Sequence, residues 1–210
     1  LLIYISVFPK IVFANSKKII MQNLEYYINE YFGVLKRDEL IAVCDKFKAQ
    51  SLPKGEFLMK QGQPAHQLSF IKSGIIRIYT HDDGKEITQW ISTPGYFVTE
   101  ISNFIFGGLS RWNMQALTDV ELFSISRTDY QNIVKEVPQW HELEKLFIIK
   151  CFAILENRIY NHLSKSAEER YEDFFKQNPS LFNQVPLQYI ASMLGMTPET
   201  FSRIRNKQLS

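Results

Sequence analysis

The residues best equipped for chemistry lie near the end of the chain, in Val185-Pro-Leu-Gln-Tyr-Ile-Ala-Ser-Met-Leu-Gly-Met-Thr-Pro-Glu-Thr-Phe-Ser-Arg-Ile-Arg-Asn-Lys207. Glu199, Ser202, Arg203, Arg205 and Lys207 offer a carboxylate, a hydroxyl and three cations, with no further acid after Glu199. This set suits nucleic acid. A Glu can accept from cytosine N4, an Arg can donate two bonds to guanine O6 and N7, and further cations meet phosphates. Thr197 and Thr200 stand at the start of the segment, where the free N–H groups of a helix would meet a phosphate.

The surrounding spacing predicts two short helices and a sharp turn. Leu187, Ile190, Ala191 and Leu194 share one face of a helix over 187–194. Gly195 supplies the left-handed conformation that a helix stop needs. Thr197 reads as the N-cap of the second helix and Pro198 as its first residue. Phe201 and Ile204, three apart, face back to the core, and Ala191 is small where the helices must approach. This is the helix-turn-helix pattern, whose second helix enters the major groove. An ordinary helical hairpin has no reason to satisfy the Ala, Gly, Phe and Ile positions together.

The rest of the chain must position that segment. Its 210 residues allow one large domain or two small ones, and 45% apolar content supports a proper core. The net charge of +2 is too small to imply nucleic-acid binding by itself, so any basic surface must be local. Cys44 and Cys151 stand far apart in no metal-like spacing, which fits a reducing cytosol and a cytoplasmic protein. The apolar run at residues 1–8 is broken by Pro9 and Lys10 and is too short for a membrane span. Residues 1–20 are expected to be upstream or disordered leader, with the native start at Met21.

Gln22–Phe32 and Lys36–Lys48 have helical periodicity. From Gln50 to about Ile125 the pattern has period two, with turns at Pro53–Gly55, Gly62–Pro64, Ser73-Gly74, Asp83-Gly84 and Pro94-Gly95. Many short strands with short links predict an antiparallel sandwich or small barrel. Ser126–Val137 returns to helix, with Thr128 as its cap. Gln139–Leu163 reads as one helix, about 37 Å long at helical rise. It is apolar on several sides, more than one small domain can cover, so a symmetry mate is expected, with Leu143, Phe147, Cys151 and Ile154 as the seam. Another helix is expected over Ala167–Lys176.

In this order the sequence resembles the cAMP receptor protein/FNR (Crp/Fnr) family of bacterial transcription regulators, over about Leu24 to Lys207. The resemblance rests on Lys54-Gly-Glu-Phe-Leu, Ile71-Lys-Ser-Gly-Ile-Ile-Arg-Ile-Tyr, Asp83-Gly-Lys-Glu, Ala116-Leu-Thr-Asp and Thr197-Pro-Glu-Thr-Phe-Ser-Arg. It implies an α+β fold: an N-terminal antiparallel double-stranded β-helix with helical lead-in (21–136), a dimerisation helix (137–163) and a C-terminal helix-turn-helix domain (164–210). It also implies a homodimer on palindromic double-stranded DNA, with RNA polymerase as a further partner. By motif position Glu199, Ser202 and Arg203 read bases.

The effector region departs from the family pattern. Members that bind cyclic nucleotide carry a Gly-Glu pair and an Arg-Ser/Thr-Ala run. Here Thr99-Glu100 and Ser110-Arg111-Trp112 occupy those positions. Glu100 remains, the phosphate Arg becomes Ser110, the small Ala becomes Trp112, and Arg111 is one position off, which on a strand reverses its face. The expectation is that cAMP is not the effector. The roll would then take an unidentified small molecule or act as an empty scaffold.

A rival reading, a metal-dependent enzyme on the same β-helix, needs several converging histidines and a carboxylate. Of His66, His81, His141 and His162 only the first two lie in the β region, both beside turns. No nucleophile–base pair or phosphate loop is present, so neither enzyme activity nor a metal is expected. The alternative kept open is a cyclic-nucleotide or other small-ligand signalling module without DNA output.

Overall fold

Apolar residues recurring at period two cannot leave water on one face only unless something covers that face, and here two sheets cover each other. The computed structural model describes residues 17–209. Helices α1 (Lys17–Phe32) and α2 (Arg37–Cys44) lead in. Strands β1 (Lys48–Leu52), β2 (Phe57–Met59), β3 (Gln67–Ser73), β4 (Ile76–Asp82), β5 (Lys85–Ser92), β6 (Phe97–Val98), β7 (Asn113–Ala116) and β8 (Val120–Ser126) follow, with helix α3 (Ile101–Phe106) between β6 and β7. They form two four-stranded antiparallel sheets, ordered β1-β8-β3-β6 and β2-β7-β4-β5. The result is a jelly-roll-like β-domain. The expected hairpin closes at Asp83 and Gly84, both at positive φ, between the paired ends Asp82 and Lys85.

Strands β3 and β4 are buried on both faces along most of their length. Their inner residues, Ile71, Ile76 and Ile78 among them, belong to the roll's core. Their outer faces are covered by helices. Tyr27 of α1 packs on Phe70, with ring centroids 5.1 Å apart.

The chain then forms α4 (Arg127–Asn132), a short 3-10 turn (Ile133–Lys135) and the long helix α5 (Trp140–Ser164). The N-cap of α4 is Ser126, whose hydroxyl accepts from Asp129 N at 3.0 Å, and not Thr128, which stands inside the helix. Helix α5 lies against α1. Phe32 is sandwiched between Trp140, at 4.9 Å, and Phe147, at 4.5 Å, and Phe97 of the roll completes the cluster. Lys150 donates to the Glu30 carbonyl of α1.

This packing corrects the expected seam. Phe147 and Cys151 are buried within their own chain, and Leu143 and Ile154 are half-buried against the same core. The outward face carries Leu146, Ile149, Ala153, Glu156, Tyr160 and Leu163 instead, all exposed. Their alternating spacings of three and four residues follow a seven-residue repeat. Phe152 and Ile159 flank them, also exposed.

Helices α6 (Ala167–Gln177), α7 (Leu181–Gln184), α8 (Leu187–Met193) and α9 (Pro198–Leu209) complete the chain. Ser166 and Glu169 cap α6 reciprocally, Ser166 Oγ accepting from Glu169 N and Glu169 Oε2 from Ser166 N. Helix α1 begins at Lys17, ahead of Met21, and residues 1–16 of the expected leader lie outside the described residues. Among the described residues no helix is long and apolar enough to cross a membrane.

Candidate nucleic-acid interface and effector region

Helices α8 and α9 meet as their sequence requires. Ile190 and Ala191 of α8 and Phe201 and Ile204 of α9 are buried together with Tyr171 and Phe182. The Phe201 ring lies 5.2 Å from Tyr171 and 6.0 Å from Phe182. Gly195 turns the chain at φ +69°, and a Cβ there would lie 2.5 Å from His162 Nε2. The position therefore demands glycine both for conformation and for space. Thr197 caps α9, its hydroxyl oxygen accepting from Thr200 N at 3.2 Å.

Anchored by Phe201 and Ile204, α9 turns Glu199, Ser202 and Arg203 outward, all exposed. Hydrogen bonds from its own backbone N–H and then from Thr197 hold the Glu199 carboxyl below its ordinary range, so it stands as an anionic acceptor. Thr197 is exposed and Thr200 half-buried at the same end of the helix. Arg205 is half-buried rather than fully outward. Lys207 departs from expectation: its ammonium contacts Glu168 of α6 at 3.1 Å, and the neighbouring Gln208 donates to Glu172. An exposed pair of this kind is weak, about 0–1 kcal/mol, so it competes with a phosphate contact without abolishing it. The acid that the sequence reading lacked comes from a different helix.

The residues at the effector positions are brought together around α3. Thr99 is buried and donates to the Gln67 carbonyl at 2.9 Å. Glu100 is buried at the start of α3, its carboxylate accepting from Arg111 N at 3.2 Å. Ser110 is buried, but its hydroxyl is held by the Trp112 backbone, at 3.0 Å from both N and O. Arg111 points outward, exposed, its guanidinium 5.9 Å from the Trp112 ring centroid. Trp112 is half-buried against the roll's core. His66 and His81 lie on the surface.

One polar centre escaped the sequence reading. Arg77 of β4 is 1% exposed. Its Nη1 donates to Glu86 at 2.6 Å and its Nε to the Thr88 hydroxyl at 2.9 Å. The guanidinium lies between Tyr79, at 4.2 Å, and Tyr189 of α8, at 3.5 Å. Beside it, Thr88 N donates to the Ser192 hydroxyl of α8 at 2.9 Å. Helix α8 is thus docked on β5 of the roll, and Ile75 and Ile91 of the roll belong to the same apolar cluster as the C-terminal helices. The signal for this was a charged residue inside an otherwise apolar strand, Ile76-Arg-Ile-Tyr79. Such a residue is buried only with partners, and the partners lie on another element.

Comparison with known proteins agrees with this architecture. Residues 49–137 match the cyclic nucleotide-binding domain family. A cyclic nucleotide-gated channel of Caenorhabditis elegans is 23% identical over 158 residues, covering 69% of this chain and 21% of the channel. The chain thus spans about a fifth of that relative's length. Among solved structures, the c-di-GMP responsive global regulator CLP of Xanthomonas campestris superposes with a TM-score of 0.65 at 17% identity, covering 83% of this chain and 92% of CLP. FixK2 of Bradyrhizobium japonicum superposes with a TM-score of 0.61 at 20% identity, covering 77% and 83%. The matched domain thus lies inside a fold shared over most of both regulators' lengths.

Proposed function

We propose that this chain is a cytoplasmic, sequence-specific DNA-binding transcription regulator that works as a homodimer with RNA polymerase as a further partner. The observation that carries the reading is α9. Its apolar residues are consumed by the packing on α6, α7 and α8, while Glu199, Ser202 and Arg203 stand outward beside a capped N-terminus. A carboxylate held ionised and a guanidinium one helical turn further on are suited to reading a cytosine and a guanine edge. The outward stripe of α5 supports the dimer: apolar side chains at seven-residue spacing ask for a copy of themselves, and Glu156 within it would set the register.

The β-roll in this reading does not take cAMP. A cyclic phosphate leaving water needs a positioned cation and free N–H donors. Ser110 and Glu100 spend their polar atoms on the Trp112 and Arg111 backbones, and Arg111 faces outward. CLP, described as responsive to c-di-GMP, is a relative of the same fold tied to a different nucleotide.

Selection of bound DNA from a random pool tests the proposal. The expected product is a pseudo-palindrome with half-sites about one helical turn apart. Absence of enrichment would favour the second reading, a ligand-binding signalling module, which the similarity to a cyclic nucleotide-gated channel supports.

A further inference from the structure

Helix α8 packs on two sides, and the two sides serve different neighbours. Ile190 and Ala191 are buried with Phe201 and Ile204 of α9, so α9 follows α8 wherever α8 is held. Tyr189 and Ser192, three apart and so neighbours on the helix surface, meet the roll instead. The Ser192 hydroxyl accepts from Thr88 N at 2.9 Å and donates to the Glu86 carbonyl at 3.5 Å, so it bridges two residues of β5. The Tyr189 ring lies against the Arg77 guanidinium at 3.5 Å.

This joint is directional because its centre is a cation. The neighbours of Arg77 in β4, Ile76 and Ile78, are fully buried apolar residues. An apolar side chain at position 77 would also bury area against α8, but burial is non-directional and leaves the helix free to slide or rotate on the contact. A planar guanidinium held by Thr88 and Glu86 has a fixed plane, and an aromatic ring is attracted to it in a narrow range of positions. Of the partners named for Arg77, Glu86, Thr88 and Tyr79 all belong to the β4–β5 hairpin, and Tyr189 alone belongs to the C-terminal helices. The hairpin thus builds the position of the guanidinium, and α8 engages it through one ring.

We infer that Arg77 is a positioning residue for α9: through Tyr189 it fixes the orientation of the α8–α9 pair on the roll, without a ligand, and so sets the half-site spacing that a dimer accepts. The spacing rests on the reading of α9 as a DNA reader; the orientation does not. Losing one desolvated cation–π contact should raise the ratio of undocked to docked α8 roughly 30-fold.

The orientation is tested on the full chain without DNA, by pulsed dipolar spectroscopy between spin labels at Lys54→Cys on the roll and Asn206→Cys on α9. Both positions are exposed, and the native Cys44 and Cys151 are buried. Labelled chain is diluted into an excess of unlabelled chain, so that only distances within one chain are read. A single narrow distance is expected. Arg77→Ala and Tyr189→Ala should add a second, broader population, and Tyr189→Phe, which keeps the ring, should restore the narrow one. Tyr189 is only half-buried, so its variants keep the inference testable if Arg77→Ala fails to fold. Tyr189→Ala should also accept selected DNA sites with one or two base pairs added between the half-sites, which the wild type and Tyr189→Phe reject. A merely structural contact would lower the melting temperature and move neither the distance nor the spacing preference. A broad wild-type distribution overturns the inference, and so does a Tyr189→Ala protein with the wild-type distance or spacing preference. If no DNA is selected at all, the reading of α9 falls, while the distance measurement still decides whether Arg77 holds it.

Discussion

Placing a charge at Ile149 should separate the proposed dimer while leaving each protomer folded. Ile149 is 63% exposed on the outward stripe of α5, with Leu146 46%, Tyr160 64% and Leu163 83% exposed along the same face. Full burial of an isoleucine side chain contributes roughly 2.5 kcal/mol. Covering the exposed fraction therefore contributes roughly 0.63 × 2.5, or about 1.6 kcal/mol per protomer, and about 3 kcal/mol for the symmetric pair. At about 1.4 kcal/mol per tenfold, losing that contact alone weakens dimerisation about 100-fold, and two facing carboxylates in Ile149→Glu add repulsion. Sedimentation velocity across nanomolar to tens of micromolar concentration reads the dissociation constant directly. The control is Ile154→Glu. That residue is half-buried against its own chain's core, so its replacement should lower the melting temperature rather than only separate protomers. A wild-type protein that is monomeric at tens of micromolar would refute the argument. So would an Ile149→Glu dimer with an unchanged dissociation constant.

Arg203→Ala should cost about 1–3 kcal/mol of DNA affinity and relax the preference at one base pair of each half-site, read by competition binding against single-base variants of the selected site. Because Lys207 is shared with Glu168, Glu168→Gln should strengthen binding to all sequences alike and steepen the salt dependence, whereas Lys207→Ala should flatten it. Calorimetry with cAMP and cGMP should show no micromolar binding at the roll. Such binding coupled to tighter DNA binding would mean that the α3 region had been misjudged. Burial pushes the Cys44 thiol up to about 12 and raises Cys151 further, so a thiol reagent at neutral pH should modify neither in the native state and both after denaturation.

The elements with a strong local signal were legible in the sequence. The Asp83-Gly84 hairpin, the Gly195 turn, the Thr197 cap and the faces of α8 and α9 depend on backbone conformation and on neighbours within one helical turn, so a short window contains their causes. The length of α5 was legible for the same reason. Its orientation was not. A helix apolar on several sides has several candidate inner faces, and only the position of Phe32 and Phe97 decided that Phe147 and Cys151 turn inward and Leu146, Ile149 and Leu163 outward. Helix α3 escaped because Ile101–Phe106 is too short to show a period. Arg77 between Tyr79 and Tyr189, and Lys207 against Glu168, join residues far apart in the chain. Charge and hydrogen-bond partners act through space and across elements, so local pattern can say that a buried charge will need a partner, while the tertiary structure alone decides which residue that partner is.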